Sequence, residues 1–400
     1  MKTVGILGGG QLGMLLAQSL ERLGGQVIIY DPDSDAPGCK CVSKSINAAW
    51  DDREALQKFV TACDIITYEF ENVDSKALSE FAQQRPIVPS ASVLYTTQNR
   101  GREKTFLKEA GLPHVPFAVV DNPDAIEANL ADLQFPVIIK SAFGGYDGKL
   151  QKSFDQKSDF LKWASTLSED DKPFFPAVIE EKIDLALELS CITARSPGGE
   201  EEVFPIFENS HTDHILDTTI CPARVAPEVA NAIETIAQKA ARSLNSYGLL
   251  CTEFFLSKAG KNDRGGTRAG DYCIYINEFA PRPHNSGHVT MSACFVSQFD
   301  ALARILLDLP ITKPSPITKG FFCMGNLLGD VWLAQGKTNG SELNLQKLKS
   351  HPQVISVTLY GKTKAQSKRK MGHFITYAED ANKANATALA FRKDLIESKN

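Results

Sequence analysis

The first hundred residues alternate short apolar runs with amphipathic stretches. TVGILG leads into glycines, and QLGMLLAQSLERLG carries Leu12, Leu15, Leu16 and Leu23 at helical spacing. QVIIYD, DIITYEF and PIVPS read as further strands with helical patterns between them, which predicts a parallel sheet with helices packed on it. A second unit begins near Gly111, where VPFAVV, a helix over roughly 124–133, PVIIK, a glycine-rich loop and AVIEEKI predict a small α/β lobe. From ELSCITAR onward the strands lengthen through EVFPIF, GLLCTEFFLSK and YCIYINEF. RGGTRAG, from Arg264 to Gly270, reads as a polar hairpin loop. MSACFVSQFDALARILLD predicts one helix with Met291, Phe295, Phe299, Leu302 and Leu306 on a single face. The tail from about Pro314 predicts short strands and a final helix.

Four hundred residues exceed one ordinary core, and two or three domains are expected. With 43% hydrophobic and 23% charged residues and a formal net charge of -5, the composition is that of a globular protein with no global attraction to nucleic acid or anionic membrane. No apolar run reaches the length of a membrane span, and MKTVGILGGG turns directly into a strand and glycine loop, so a cytoplasmic location is expected. The nine cysteines are scattered singles, several of them (Cys191, Cys251, Cys273) inside apolar runs, which suits buried reduced thiols. Cys39 and Cys41 lack a zinc spacing.

Four features carry candidate chemistry. Gly8, Gly10 and Gly13 have G-x-G-x-x-G spacing between a strand and a helix, with Asp31 closing the next strand. The loop can serve a dinucleotide, another phosphate, or only a tight turn. Lys140 ends an apolar strand and is followed by GGYDGK, suited either to closing over phosphates or to a surface hairpin. Glu253 and Glu278 lie in two otherwise apolar strands. A buried carboxylate needs a partner or a metal, so adjacent strands would make either a site for Mg²⁺, a hard cation at home beside phosphates, or a structural ion pair. Finally, NEFAPRPHNSGH (Asn277 to His288) crowds a carboxylate, an arginine, two histidines and two asparagines into a stretch whose prolines and glycine suit neither helix nor strand interior.

Taken together and in order, Lys140, GGYDGK, EEKIDLALELS, the glutamate of CTEFF and NEFAPRPHNSGH resemble the ATP-grasp superfamily. More narrowly the chain resembles its 5-(carboxyamino)imidazole ribonucleotide synthases, from GILGGGQLG through TYEFENV to YGKTKAQSKRKMGH. The resemblance implies an α/β, in part α+β, fold. A Rossmann-like pre-ATP-grasp domain would cover 1–110, an ATP-grasp domain 111–310 with its lid lobe at about 111–180, and a small β-rich C-terminal domain 311–400. It implies a homodimeric ligase of purine biosynthesis that consumes ATP, bicarbonate and 5-aminoimidazole ribonucleotide with Mg²⁺ (or Mn²⁺), and no nucleic-acid or membrane partner. A formate-dependent glycinamide ribonucleotide transformylase is the nearest alternative. A dehydrogenase would leave the strand glutamates unexplained, and a silent nucleotide-binding regulator is the remaining class.

Residue by residue, the resemblance implies that Arg100 and Lys140 contact ATP phosphates under a loop comprising Gly145, Tyr146, Asp147, Gly148, Lys149 and Gln151. Glu180, Glu181, Lys182 and Ile183 would hold adenine largely through backbone, Glu188 the ribose, with His211 alongside. Glu253 and Glu278 would bind the metal near Asn277. Gln11 and Leu12 would lie against the ribonucleotide, Glu69 on its ribose, and Lys362 and Arg369 by its phosphate. Arg282, His284 and Asn285 would face the bicarbonate-derived intermediate, Asp147 would hold the reacting amine, and Lys362 also joins the catalytic set; His288 has no implied role. Two departures stand out: Leu150 ends the lid sequence where the family has glycine, and His214 replaces a glycine in ENSHTDHIL.

Overall fold

The computed structural model describes residues 1–144, 150–167, 174–260, 263–340 and 342–397. Among these residues the strands form three sheets, met in chain order. The first is parallel, in the order β3-β2-β1-β4, from β1 (Thr3–Leu7), β2 (Gln26–Tyr30), β3 (Ser45–Ile46) and β4 (Ile65–Tyr68). Its strands are near-continuous Val/Ile/Leu runs because helices such as Gln11–Arg22 and Arg53–Ala62 pack against it. PIVPS contributes only an isolated bridge, Ile66 to Ile87, since its two prolines cannot donate to a ladder.

The second sheet is a small antiparallel layer, β5-β8-β6-β7, built from β5 (Phe117–Val120), β6 (Val137–Ser141), β7 (Gln151–Phe154) and β8 (Ala177–Glu181). The helix expected over 124–133 shrinks to a 3₁₀ turn at Pro123–Ala125 and one turn at Ile126–Asn129. Ile126 and Leu130 are buried in the core of this lobe, with Ala125 and Leu133 packed partly against it.

The third sheet is the platform of the molecule. It contains β9 (Leu185–Arg195), β10 (Glu201–Val203), β11 (Phe207–Thr212), β12 (Ile215–Cys221), β13 (Gly248–Lys258), β14 (Thr267–Ala269), β15 (Tyr272–Ala280), β16 (Phe321–Leu328), β17 (Val354–Leu359) and β18 (Lys370–Ala378). The order is β14-β15-β13-β9-β11-β12-β16-β18-β17, with β10 paired to β9. The segment beyond 310 is therefore continuous with this sheet through the β12–β16 pairing. RGGTRAG contains β14, which forms a hairpin with the following β15.

The predicted single helix after Met291 is broken. Thr290–Ala293 ends at an extended Cys294, and Gln298–Leu306 starts afresh because Ser297 and Asp300 form a reciprocal capping box. Phe299, Leu302 and Leu306 are buried as expected, but Met291 and Phe295 are exposed, since the break turns them out of register. One apolar cluster joins Leu15 and Leu16 of the first helix, Ile192 of β9, Phe299 and Leu302, and Met324 of β16, so the three segments share a core.

Gly13 lets the first helix seat on β1: a Cβ there would lie 2.4 Å from the Gly8 carbonyl oxygen. Gly13→Ala is expected to lower stability by about 1–3 kcal/mol through overpacking, read as a lower urea midpoint at unchanged slope.

Candidate functional site

A cavity of about 730 Å³ opens where the three sheets meet, lined from β6 and β8 on one side and β13 and β15 on the other. Strand alternation explains its walls. On β13, Leu250, Phe254 and Leu256 face the core beneath the helix Pro227–Ser243, which leaves Glu253 and Phe255 on the cavity face.

At the cationic end of the cavity, Asn99 caps the helix Arg100–Glu109, and Arg100 and Lys104 lie one turn apart on it. Lys140 on β6 and Lys104 both reach Glu180 on β8, at 2.5 and 2.9 Å. Burial raises the Glu180 carboxyl, but the two ammonium groups outweigh this and hold it well below the usual carboxylate range. Lys140 is pulled down by burial and by the neighbouring Arg100 and Lys104 cations, with Glu180 opposing. The Glu181 side chain points away, paired with Arg264 at 2.6 Å, so the segment Glu180 to Ile183 offers a ligand mainly its backbone.

Glu253 and Glu278 are register partners on β13 and β15, with a bulge immediately after Glu253. Bulges re-aim side chains. Arg100 holds Glu278 at 2.7 Å, and His284 holds Glu253 at 2.8 Å. Burial pushes Glu253 up, yet His284, His211 and Arg282 bring its pKa down to about 2. Two facing carboxylates beside a phosphate-sized space fit Mg²⁺, which takes one or two protein carboxylates and completes its shell with phosphate and water oxygens. Among the described residues no cluster of three or more His, Cys, Asp or Glu forms a complete protein cage for a metal.

Beyond β15, Arg282 meets Glu71 at 2.9 Å. Gln298 clamps the His284 backbone from both ends, accepting from its N–H at 2.8 Å and donating to its carbonyl at 2.7 Å. Gly287 makes room for this clamp, since a Cβ there would fall 2.3 Å from the Gln298 Oε1. Asn285 lines the cavity nine-tenths buried, and among the described residues neither of its side-chain amide atoms has a hydrogen-bond partner. Such an amide is costly unless a ligand with both a donor and an acceptor completes it.

The glycine loop is held by two carboxylates, Asp31 and Glu69. Three of its amides are engaged within the protein: Gly9 donates to Asp31 at 2.7 Å, and Gly10 and Gly13 donate to the two Glu69 oxygens at 2.5 and 2.6 Å. The glycines are there because Glu69 lies against them; a Cβ on Gly8 or Gly10 would sit 2.4 Å from it. Asp31, likewise, is spent on the loop rather than free for a ribose. Gln11, Leu12 and Glu69 still line the cavity.

His211 and Glu188 face each other at 2.5 Å across β11 and β9, and both line the cavity with Asn277 and Gln151. His214 also lines it, at φ +64. That is left-handed backbone, which favours glycine, so the substitution noted in the sequence carries local strain. Lys362 and Arg369 are half-buried but outside the cavity lining, whereas Lys370 is in it. Burial, helped by Arg369, lowers Lys362 to about 8, with Glu69 opposing. Gly145, Tyr146, Asp147, Gly148 and Lys149 lie outside the described residues. Sequence reasoning missed Lys104, Glu71, Gln298 and Lys370. Lys104 had a signal, its position one helical turn after Arg100; Glu71 alternates with Glu69 along TYEFEN.

Comparison with known proteins places this geometry. Residues 1–98 match the ribonucleotide synthetase preATP-grasp domain, 105–299 the ATP-grasp domain and 323–387 the phosphoribosylaminoimidazole carboxylase C-terminal domain. The chain is 34% identical over 382 residues to N5-carboxyaminoimidazole ribonucleotide synthase of Bacillus subtilis, covering 94% of this chain and 92% of that one. The chain belongs to the N5-carboxyaminoimidazole ribonucleotide synthase family. The synthetase of Staphylococcus aureus complexed with ADP is 32% identical, with TM-score 0.83 over 98% of this chain and 97% of that one. The Aspergillus clavatus synthase in complex with ADP and 5-aminoimidazole ribonucleotide is 28% identical, with TM-score 0.81 over 99% and 98%. The ATP-grasp fold and ligase class expected from the sequence are thus those of an N5-carboxyaminoimidazole ribonucleotide synthase family member. Among the described residues no helix is long and apolar enough to cross a membrane.

Replacing Glu180 with glutamine leaves two buried ammonium groups without their counter-charge. Glu180→Gln is expected to cost about 3–5 kcal/mol, measured as loss of urea stability, before any effect on catalysis.

Proposed function

We propose that the chain carboxylates 5-aminoimidazole ribonucleotide at the expense of ATP and bicarbonate, through carboxyphosphate. The observation that carries this reading is the Asn285 amide, buried without a partner among the described residues in the cavity that Arg282, Glu71, Glu253 and Glu278 also line. A small planar oxyanion with both hydroxyl and oxygen atoms, such as bicarbonate, satisfies an amide donor, an amide acceptor and a guanidinium together.

Bicarbonate is a poor electrophile because hydroxide leaves badly. Its oxygen attacks the γ-phosphorus of ATP, ADP departs, and the carboxyphosphate formed has phosphate as a competent leaving group. The ribonucleotide's amine then attacks the activated carbon, or CO₂ released from it; phosphate leaves, and the amine's proton is lost to give the carbamate. Phosphoryl transfer depends on positioning and charge neutralisation. In this reading Arg100 and Lys140 serve the ATP phosphates, the Glu180 to Ile183 backbone the adenine, and Glu188 with His211 the ribose. Arg282, His284 and Asn285 hold the bicarbonate-derived oxygens. Glu253 and Glu278 would hold Mg²⁺, which when bound neutralises phosphate charge. Gln11, Leu12 and Glu69 face the ribonucleotide, with Lys362 and Arg369 toward its phosphate. A homodimer is part of the same reading and is measured by sedimentation.

Arg282→Ala is expected to lower substrate-dependent ATP turnover by at least ~10²-fold, the effect of losing one electrostatic stabiliser. The assay is phosphate release, which must require both bicarbonate and 5-aminoimidazole ribonucleotide; dependence on formate instead would assign the chain to the transformylase reaction. The lowered Lys362 gives a second expectation. The ammonium loses its proton as pH rises through about 8 in the free enzyme, so kcat/KM for the ribonucleotide should fall above that pH. Lys362→Arg, which stays charged, should move the fall upward.

A further inference from the structure

A line of buried polar side chains crosses the apolar central sheet and ends on His284. Thr219 on β12 donates its hydroxyl to Asn209 Oδ1 on β11 at 3.0 Å, and Asn209 Nδ2 donates to Ser190 Oγ on β9 at 2.9 Å. Ser190 Oγ and Ser286 Oγ are 2.8 Å apart, and Ser286 Oγ is 2.8 Å from His284 Nδ1. The far ring nitrogen, Nε2, faces Glu253 at 2.8 Å. Ser190, Thr219 and Ser286 are buried with at most a trace of exposure, and Asn209 is more than nine-tenths buried. Four polar groups in such surroundings are retained only if their bonds are mutually satisfied.

Donor accounting gives the line a direction. An amide nitrogen only donates, so Ser190 accepts from Asn209, which leaves its one hydroxyl proton available to Ser286 Oγ at 2.8 Å. At the ring, the Ser286 backbone N–H donates to Nδ1 at 3.4 Å and Nε2 faces a carboxylate that only accepts, so Nδ1 is the acceptor and the proton lies on Nε2. We propose that Asn209, Ser190 and Ser286 are positioning residues that fix His284 with a proton on Nε2, so that it presents a hydrogen-bond donor to the oxyanion. The proposal rests on the reading of His284 as facing the bicarbonate-derived oxygens. In that reading Glu253 turns to the cation, and Nε2–H is left to donate to the substrate. A base at this position would need the opposite arrangement.

The test reads the ring directly. The full-length chain is labelled with ¹⁵N-histidine and the two-bond ¹H–¹⁵N spectrum is recorded at about pH 8, above the ordinary histidine range. The seven histidines are separated by the signal lost in His284→Gln. Nε2 of His284 is expected protonated and Nδ1 unprotonated; a protonated Nδ1 overturns the proposal without any appeal to activity. Asn209→Asp removes the donor at the head of the line and should move a proton onto Nδ1, and an unchanged Nδ1 signal would also overturn it. Ser286→Ala should lower kcat by about 10-fold to 100-fold with the KM for ATP unchanged, whereas unchanged kcat would reduce Ser286 to a packing residue. Because the spectrum is independent of turnover, its outcome is separable from that of the Arg282→Ala assay.

Discussion

Two glutamates placed opposite each other on neighbouring antiparallel strands organise this molecule. Glu253 and Glu278 belong to strands whose other residues are largely apolar, and each carboxylate requires a counter-charge that its own strand does not supply. Arg100 arrives from the helix that leaves the N-terminal sheet, and His284 from the loop after β15. The electrostatic demand of two partly buried carboxylates thus ties the first segment to the platform and brings guanidinium, imidazole and amide groups to one cavity. The bulge after Glu253 is the local irregularity that accompanies this arrangement.

The same balance recurs at Glu180, where one carboxylate serves two lysines. Arg100, Lys104 and Lys140 against two carboxylates, Glu180 and Glu278, leave a surplus of positive charge at that end of the cavity. This is where a polyanionic phosphate chain gains most from a low-dielectric setting. The opposite end, near Gln11 and Glu69, has its backbone amides already occupied by carboxylates. The cavity is therefore polarised, and its two ends suit different ligands. The same cavity holds Asn285, whose side-chain amide has no partner among the described residues.

Strand and helix types were largely legible because periodicity follows burial, and β1, β2, β9, β13 and β15 fall where the apolar runs stand. The helix after Met291 shows the limit of that logic. Its apolar spacing is continuous, but Ser297 and Asp300 close a capping box, and local hydrogen bonding overrides the stripe. The glycine loop shows a different limit. Its spacing is that of an anion cradle, yet which anion fills it depends on a residue 56 to 59 positions away, Glu69, and sequence spacing cannot weigh a bound carboxylate against a bound phosphate.

What the sequence by itself determined is the inventory and its order: the strand glutamates, Lys140, the loop of Arg282, His284 and Asn285, and with them the superfamily and ligase class. Those depend on residue type and local pattern. Only the tertiary structure decided the pairings. Glu71 against Arg282, Lys104 with Lys140 on Glu180, the Gln298 clamp and the hydroxyl line through Ser190 and Ser286 each join residues from separate elements. Electrostatic and hydrogen-bond energies fall off over a few ångströms, and chain position says nothing about such distances until the strands have found their register.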